Sequence, residues 1–215
     1  PAPTELYTLS LHDALPIFDY ASLVPQQVAL NPKVVSYLES ENLVMQDSEI
    51  LRLLDDFKFE NVLSTVYLMD RTGNTLVSTD PTFVGNNYSF RDYFQNAVVN
   101  GNGVDMVLGV TSKEPGYYFS NAVKNEEEVV LGVVVVKMYT SVIDDIFKNH
   151  EIGTVKIVDK TGVIVFSTDV DEIFKSLGYI DDADLKLIRD SRRFSDLDIK
   201  PAHYDELQED LMYIV

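Results

Sequence analysis

Hydrophobic positions along the chain follow two different periods. Between residues 18 and 60 they recur at helical spacing. The stretch "PKVVSYLESENLV" sets Val34, Val35 and Leu38 near one face, with Glu41 close to it. "DSEILRLLDDFKF" repeats the pattern with Ile50, Leu53, Leu54 and Phe57 behind an Asp47 or Ser48 cap. Pro25 and Pro32 are expected to break helix early in this segment. From Asn61 the pattern shortens to strand length. Residues 66–80, "VYLMDRTGNTLVSTD", predict strand, turn and strand, with Gly73 in the turn. A short helix over "SFRDYFQNAVV" follows, then three strands over "DMVLGV", "GYYFSNAV" and "EVVLGVVVVKMY". Hairpin, helix and three strands predict a five-stranded antiparallel sheet with helices on its face, an α/β (α+β) fold.

Residues 155–169, "VKIVDKTGVIVFSTD", match residues 66–80 at seven of fifteen positions, among them Asp70/Asp159, Thr72/Thr161, Gly73/Gly162 and Ser78-Thr79/Ser167-Thr168. The offset of 89 residues is too long for a solenoid repeat and suits two small α/β units in tandem. The second unit continues with a helix around "DADLKLIRDSRRF" and reaches "DLMYIV" before its last strands, so the sequence is expected to be a fragment cut at both ends. Residues 8–17, "TLSLHDALPI", resemble one reading frame of a sequencing adapter. The division that follows is 1–17 adapter-derived, 18–60 helical, 61–148 a first PAS-like module and 149–215 a second, incomplete one. His12 and Asp13 then carry no functional weight.

Composition narrows the functions open to such a chain. Its 46% hydrophobic and 11% aromatic residues are globular in kind. A formal net charge of −18 argues against nucleic acid, which needs Lys and Arg to displace counterions. Any anionic ligand must be caught by a few local cations against the global field. Without cysteine there is no disulfide and no thiol chemistry. No stretch approaches the ~18–20 apolar residues of a membrane span. The acidic runs "NEEEVV" and "DDADL" lack the spacing of a calcium loop, and His150 and His203 stand apart from any partner. No enzyme, cofactor or metal site is expected.

Candidate chemistry centres on two cations. In "LGVVVVKMY" four valines read as a strand buried on both faces, and Lys137 follows them. An ammonium there needs either the strand's wet end or an anion, since an unpaired buried charge is costly. In "NNYSFRDYF", Ser89 and Asp92 form a capping-box pattern that predicts a helix from Phe90 and puts Arg91 in its first turn, beside free N–H groups. The competing reading pairs Arg91 with Asp92. In "GVTSKEPGYYFS", Thr111 and Ser112 open a loop, and either Tyr117 or Tyr118 could face the same place, the other lying in the core.

With these residues the first unit resembles the membrane-distal module of a double Cache (PDC-type) sensor domain. It is most similar to the branch found in C4-dicarboxylate sensor histidine kinases and membrane-bound diguanylate cyclases. "YLMDRTGNTLVSTD", "FVGNNYSFRDYF", "LGVTS", "GYYFS" and "GVVVVK" carry the likeness in order, and "VKIVDKTGVIVFSTD", "IFKSL" and "RDSRRF" resemble the membrane-proximal module. The resemblance implies a small-carboxylate site formed by Arg91, Lys137, Tyr88, Thr111, Ser112 and Tyr117. It also implies an extracytoplasmic (periplasmic) place in an inner-membrane receptor, with membrane contact only through flanking helices and a homodimer through the N-terminal helices. Two departures bear on ligand identity. Pro115 stands where the family commonly has a basic residue, and Asn121-Ala122 where it commonly has a proline. A second cation opposite Arg91 suits two carboxylates better than a zwitterion, which favours succinate, malate or fumarate. Amino-acid or other small-molecule sensing, and a ligand-free interaction module, are the alternatives. Asp144 and Asp145 are read as the cap of a following helix.

Overall fold

The computed structural model describes residues 17–40, 47–59, 61–112, 114–143, 155–159, 161–190, 192–194 and 197–202. The expectations for residues 1–16, His150, His203, Asp144 and Asp145 lie outside them. Three helices lead the chain: α1 over residues 17–29, α2 Pro32–Glu39 and α3 Asp47–Phe57. Pro32 does begin a new helix, at a first-turn position where its missing N–H costs nothing, with Asn31 accepting from the Lys33 N–H as the cap. Pro25 does not break its helix. α1 runs through it, because packing of Ala21, Val24, Val28 and Ala29 into the core outweighs the lost backbone bond.

The first unit is built as the alternation predicts. Strands β1 Leu63–Asp70, β2 Thr75–Ser78, β3 Asn102–Leu108, β4 Pro115–Lys124 and β5 Val130–Tyr139 form one sheet in the order β2-β1-β5-β4-β3, antiparallel throughout. The valine run lies in the central strand and is buried on both faces. Val134 and Val136 meet the N-terminal helices with Val66, Leu68, Tyr117 and Phe119. Val133 and Val135 join a second cluster with Tyr67, Tyr88, Tyr93 and Tyr118 on the other face, under helix α4 Asp92–Asn100. Period-two alternation thus sorts one strand's side chains into two cores.

The internal repeat is also a structural one. Asp70 Oδ1 accepts from the Thr72 N–H, the Thr72 hydroxyl and the Asn74 N–H at 2.8, 2.7 and 2.9 Å. Asp159 Oδ1 accepts from Thr161 and Val163 at the same three distances. Gly73 and Gly162 occupy left-handed backbone at φ 87° and 82°. The second hairpin, β6 Lys156–Val158 and β7 Ile164–Ser167, is followed by α5 Asp182–Asp190. Identical residues at an 89-residue offset therefore specify the same Asp-anchored turn twice.

Candidate functional site

Lys137 lies on β5 with its side chain on the α4 face, the face of Val133 and Val135. It is only 4% exposed. Its stem crosses the backbone of Gly116, where a Cβ would come within 2.5 Å of Lys137 Cε, so the absence of a side chain at 116 opens its path. The ammonium donates to Ser112 Oγ at 2.8 Å and lies 5.9 Å from the centre of the Tyr118 ring. Burial pulls its pKa below the ordinary lysine value, and the more distant Glu114 and Asp80 only partly oppose that.

Arg91 is 1% exposed. The helix does not begin at Phe90. Arg91 is itself the N-cap residue of α4 and makes no side-chain cap bond. The capping box fails because Asn87 Oδ1 takes both the N–H and the hydroxyl of Ser89, at 3.0 and 2.7 Å, in a local turn. Freed from the helix's first turn, the Arg91 guanidinium donates from Nη1 to the Arg192 carbonyl at 2.7 Å and from Nη2 to the Leu108 carbonyl at 2.9 Å. Two of its five N–H donors are thus committed to backbone carbonyls. Among the described residues neither Arg91 nor Lys137 has a carboxylate within ion-pair distance, so the pairing of Arg91 with Asp92 is not made.

Tyr88 and Thr111 meet through their hydroxyls at 2.6 Å. Burial raises the Tyr88 phenol above its ordinary pKa, and burial raises that of Tyr118 as well, while the positive charge of Arg91 opposes both shifts. Arg91, Lys137, Tyr88, Thr111 and Ser112 are therefore gathered on one face of the sheet at one end. Tyr117 is not. It packs edge-on against Phe18 of α1 at 5.2 Å, in the core on the opposite face. The residue facing the site is Tyr118, paired in register with Lys137 and stacked on Tyr93 at 5.1 Å. The correction follows from strand alternation: whichever tyrosine sits opposite Lys137 shares its face, and the register of β4 on β5 selects Tyr118. Tyr118→Phe should accordingly weaken ligand binding several-fold in titration calorimetry, by roughly the 0.5–1.5 kcal/mol of one hydrogen bond. Tyr117→Phe should leave affinity unchanged. Equal effects from both would contradict this assignment.

Sequence reading missed a second ionic cluster beside the first. Asp105, on β3 in register with Tyr118, pairs with Arg193 at 2.8 Å, and Arg193 also pairs with Asp159 at 3.0 Å. All three side chains are buried. Burial pushes the Asp105 carboxyl up to about 6 even with Arg193 beside it. The only hint in the sequence was the alternation that puts Asp105 on the face of Val107.

No family model matches the chain. It is 29% identical over 149 residues to the C4-dicarboxylate transport sensor protein DctB of Rhizobium meliloti, covering 67% of this chain and 24% of that protein. It is 31% identical over 122 residues to DctB of Pseudomonas aeruginosa, covering 55% and 20%. The chain thus spans a quarter or less of the curated relatives it matches. Among solved structures, the sensor domain of the Vibrio cholerae histidine kinase DctB superposes with a TM-score of 0.76 at 26% identity, over 92% of this chain and 79% of that one. In sequence and in fold together, the chain is similar to the DctB sensor domain, with helices and an antiparallel sheet in a mixed α/β, PAS-like fold.

Proposed function

We propose that this chain is the extracytoplasmic sensor domain of a bacterial transmembrane signalling receptor and that its first unit binds a C4-dicarboxylate. One observation carries the reading: Arg91 and Lys137 are buried cations on one face of the sheet, with no carboxylate within ion-pair distance among the described residues. Charges withdrawn from water in this way are stabilised by an anion, and two of them suit a ligand with two carboxylates. Tyr88, Thr111, Ser112 and Tyr118 supply hydroxyls beside them. An amino acid would need an acid for its ammonium. The buried Asp105 gives Oδ1 to Arg193 and leaves Oδ2 without a hydrogen-bond partner, so the response to amino acids decides between the two ligand classes. The names of the DctB relatives agree with this ligand class. Among the described residues no helix is long and apolar enough to cross a membrane. Binding shifts the population between two arrangements of the first unit and the N-terminal helices, and a cytoplasmic kinase or cyclase reads that shift.

Thermal unfolding against succinate, malate, fumarate and a set of amino acids tests this. A dicarboxylate at about 100 times its Kd should stabilise by roughly 2.7 kcal/mol, a Tm rise of roughly 5–10 °C for this size. A cooperative melt that amino acids raise and dicarboxylates leave unmoved would replace the ligand class. A melt unmoved by either would favour the ligand-free interaction module.

A further inference from the structure

The turn after α5 belongs to the second unit, yet it fastens onto the candidate site of the first. Residues 192–194 follow the end of the helix, with Arg192 in left-handed backbone at φ 50°. The Arg193 carbonyl accepts from the Leu108 N–H at 2.8 Å, which extends the edge strand β3 by one backbone bond to the other unit. The Arg192 carbonyl accepts from Arg91 Nη1, and the Leu108 carbonyl accepts from Nη2. Phe90 has the guanidinium carbons of Arg91 and Arg192 5.2 and 5.1 Å from its ring centre. The Arg193 side chain then runs between Asp105 of β3, which accepts from Nη2, and Asp159 of the second hairpin turn. The second contact is an ion pair at 3.0 Å whose Nη1 and Oδ2 are not aligned for a hydrogen bond. Asp159 is the repeat partner of Asp70, and it holds its own turn through Oδ1 while meeting Arg193 through Oδ2.

We infer that Arg193 is a positioning residue for the ligand site: clamped by Asp105 and Asp159, it holds the Arg192 and Leu108 carbonyls that aim Arg91, so docking of the second unit sets the affinity of the first. This rests on the proposed role of Arg91 as a ligand cation. A guanidinium with two of its donors fixed on carbonyls of two different units cannot turn without one of them moving. Its remaining donors are pre-oriented only while both carbonyls stay in place. The coupling is reciprocal, because a ligand that favours the aimed Arg91 also favours the docked turn.

The test uses the full chain, with Arg193→Met, Arg193→Lys and the milder Asp105→Asn. Two readouts are taken: the Kd for succinate by calorimetry, and the guanidinium N–H signals of Arg91 together with Leu108 amide exchange by NMR without ligand. Arg193→Met should weaken succinate about tenfold, abolish the slowly exchanging Arg91 signals and speed Leu108 exchange. Asp105→Asn should act in the same direction, and Arg193→Lys should restore part of the affinity. A purely structural Arg193 would lower Tm and leave the Arg91 signals and the Kd as they are, which overturns the inference. Weaker binding with unchanged Arg91 signals overturns it too. If the unaltered protein does not respond to succinate, the ligand reading has failed, and the Arg91 signals alone decide whether Arg193 positions that side chain.

Discussion

Replacing Lys137 with methionine should make the ligand-free protein more stable and clearly less responsive to dicarboxylate. The side chain keeps its stem out to Cε, and that stem its path over Gly116, while the buried ammonium disappears. Apart from the Ser112 hydroxyl and the face of Tyr118, that ammonium has little in place of water. Removing such a charge should raise stability by about 0.5–2 kcal/mol, the usual size of a stabilising change that sacrifices function, or a Tm gain of a few degrees. The pH dependence has a definite sign. Burial lowers the folded-state pKa of Lys137 below the unfolded value of 10.5, so in the window between the two the unfolded chain binds more protons than the folded one. Wild-type stability from this group therefore rises with pH there, and the variant's advantage should narrow as pH approaches 10.5. Loss of a charge-assisted pair of roughly 1.5–3 kcal/mol weakens binding about 10- to 100-fold. At a concentration that stabilises the wild type by about 2.7 kcal/mol, the variant should gain only roughly 0.4–1.4. Melts at neutral and alkaline pH, with and without succinate, read all three effects. A variant that melts lower and still responds fully would remove Lys137 from the site.

The features legible in the sequence were those set by local chemistry. Asp70, Thr72 and Gly73 spell a turn that needs no tertiary information, which is why its copy at Asp159, Thr161 and Gly162 stands out in the sequence and shares its hydrogen bonds. The valine run read as a strand buried on both faces but left Lys137 either at a wet end or against an anion. It took the sheet order to place that strand at the centre and the lysine in the interior. What escaped reading depended on pairing across the sheet or on competition between local motifs. Tyr117 and Tyr118 are equivalent until β4 is set in register against β5. Ser89 looks like a cap until Asn87, tied to Thr72 and Asn74 of the first hairpin, takes its donors. Arg193 and Asp105 are 88 residues apart, and Asp159 belongs to the other unit's turn, so no window could join them. Pro25 misled because propensity alone was weighed against a helix whose inner face, Ala21, Val24, Val28 and Ala29, is firmly buried.

A large loss of stability from a single methyl group should come at Gly132. This glycine begins the buried run of β5, paired across to Asp70 of β1 and Val123 of β4. A Cβ there would fall inside contact distance of the Met69 carbonyl oxygen and 2.9 Å from Leu38 Cδ1 of α2. Leu38 could rotate away, but a backbone carbonyl in the adjacent strand can move only by shifting β1 against β5. Overpacking of this kind costs about 3 kcal/mol, so Gly132→Ala should lower Tm by roughly 6–12 °C. Gly178→Ala is the control, since nothing lies within 4 Å of its would-be Cβ and its backbone is not left-handed. It should be neutral or gain up to about 1 kcal/mol through the unfolded state. The clash at Gly132 lies on the helix face of the sheet, while Lys137 projects from the same strand to the other face. A succinate-induced Tm rise that survives in Gly132→Ala would mean that the site tolerates a shift in how α2 seats on the sheet. A rise lost together with stability would mean that β5 transmits the seating of α2 to Lys137, the direction of coupling a sensor requires, because the same strand would then carry the ligand's effect back to the helices.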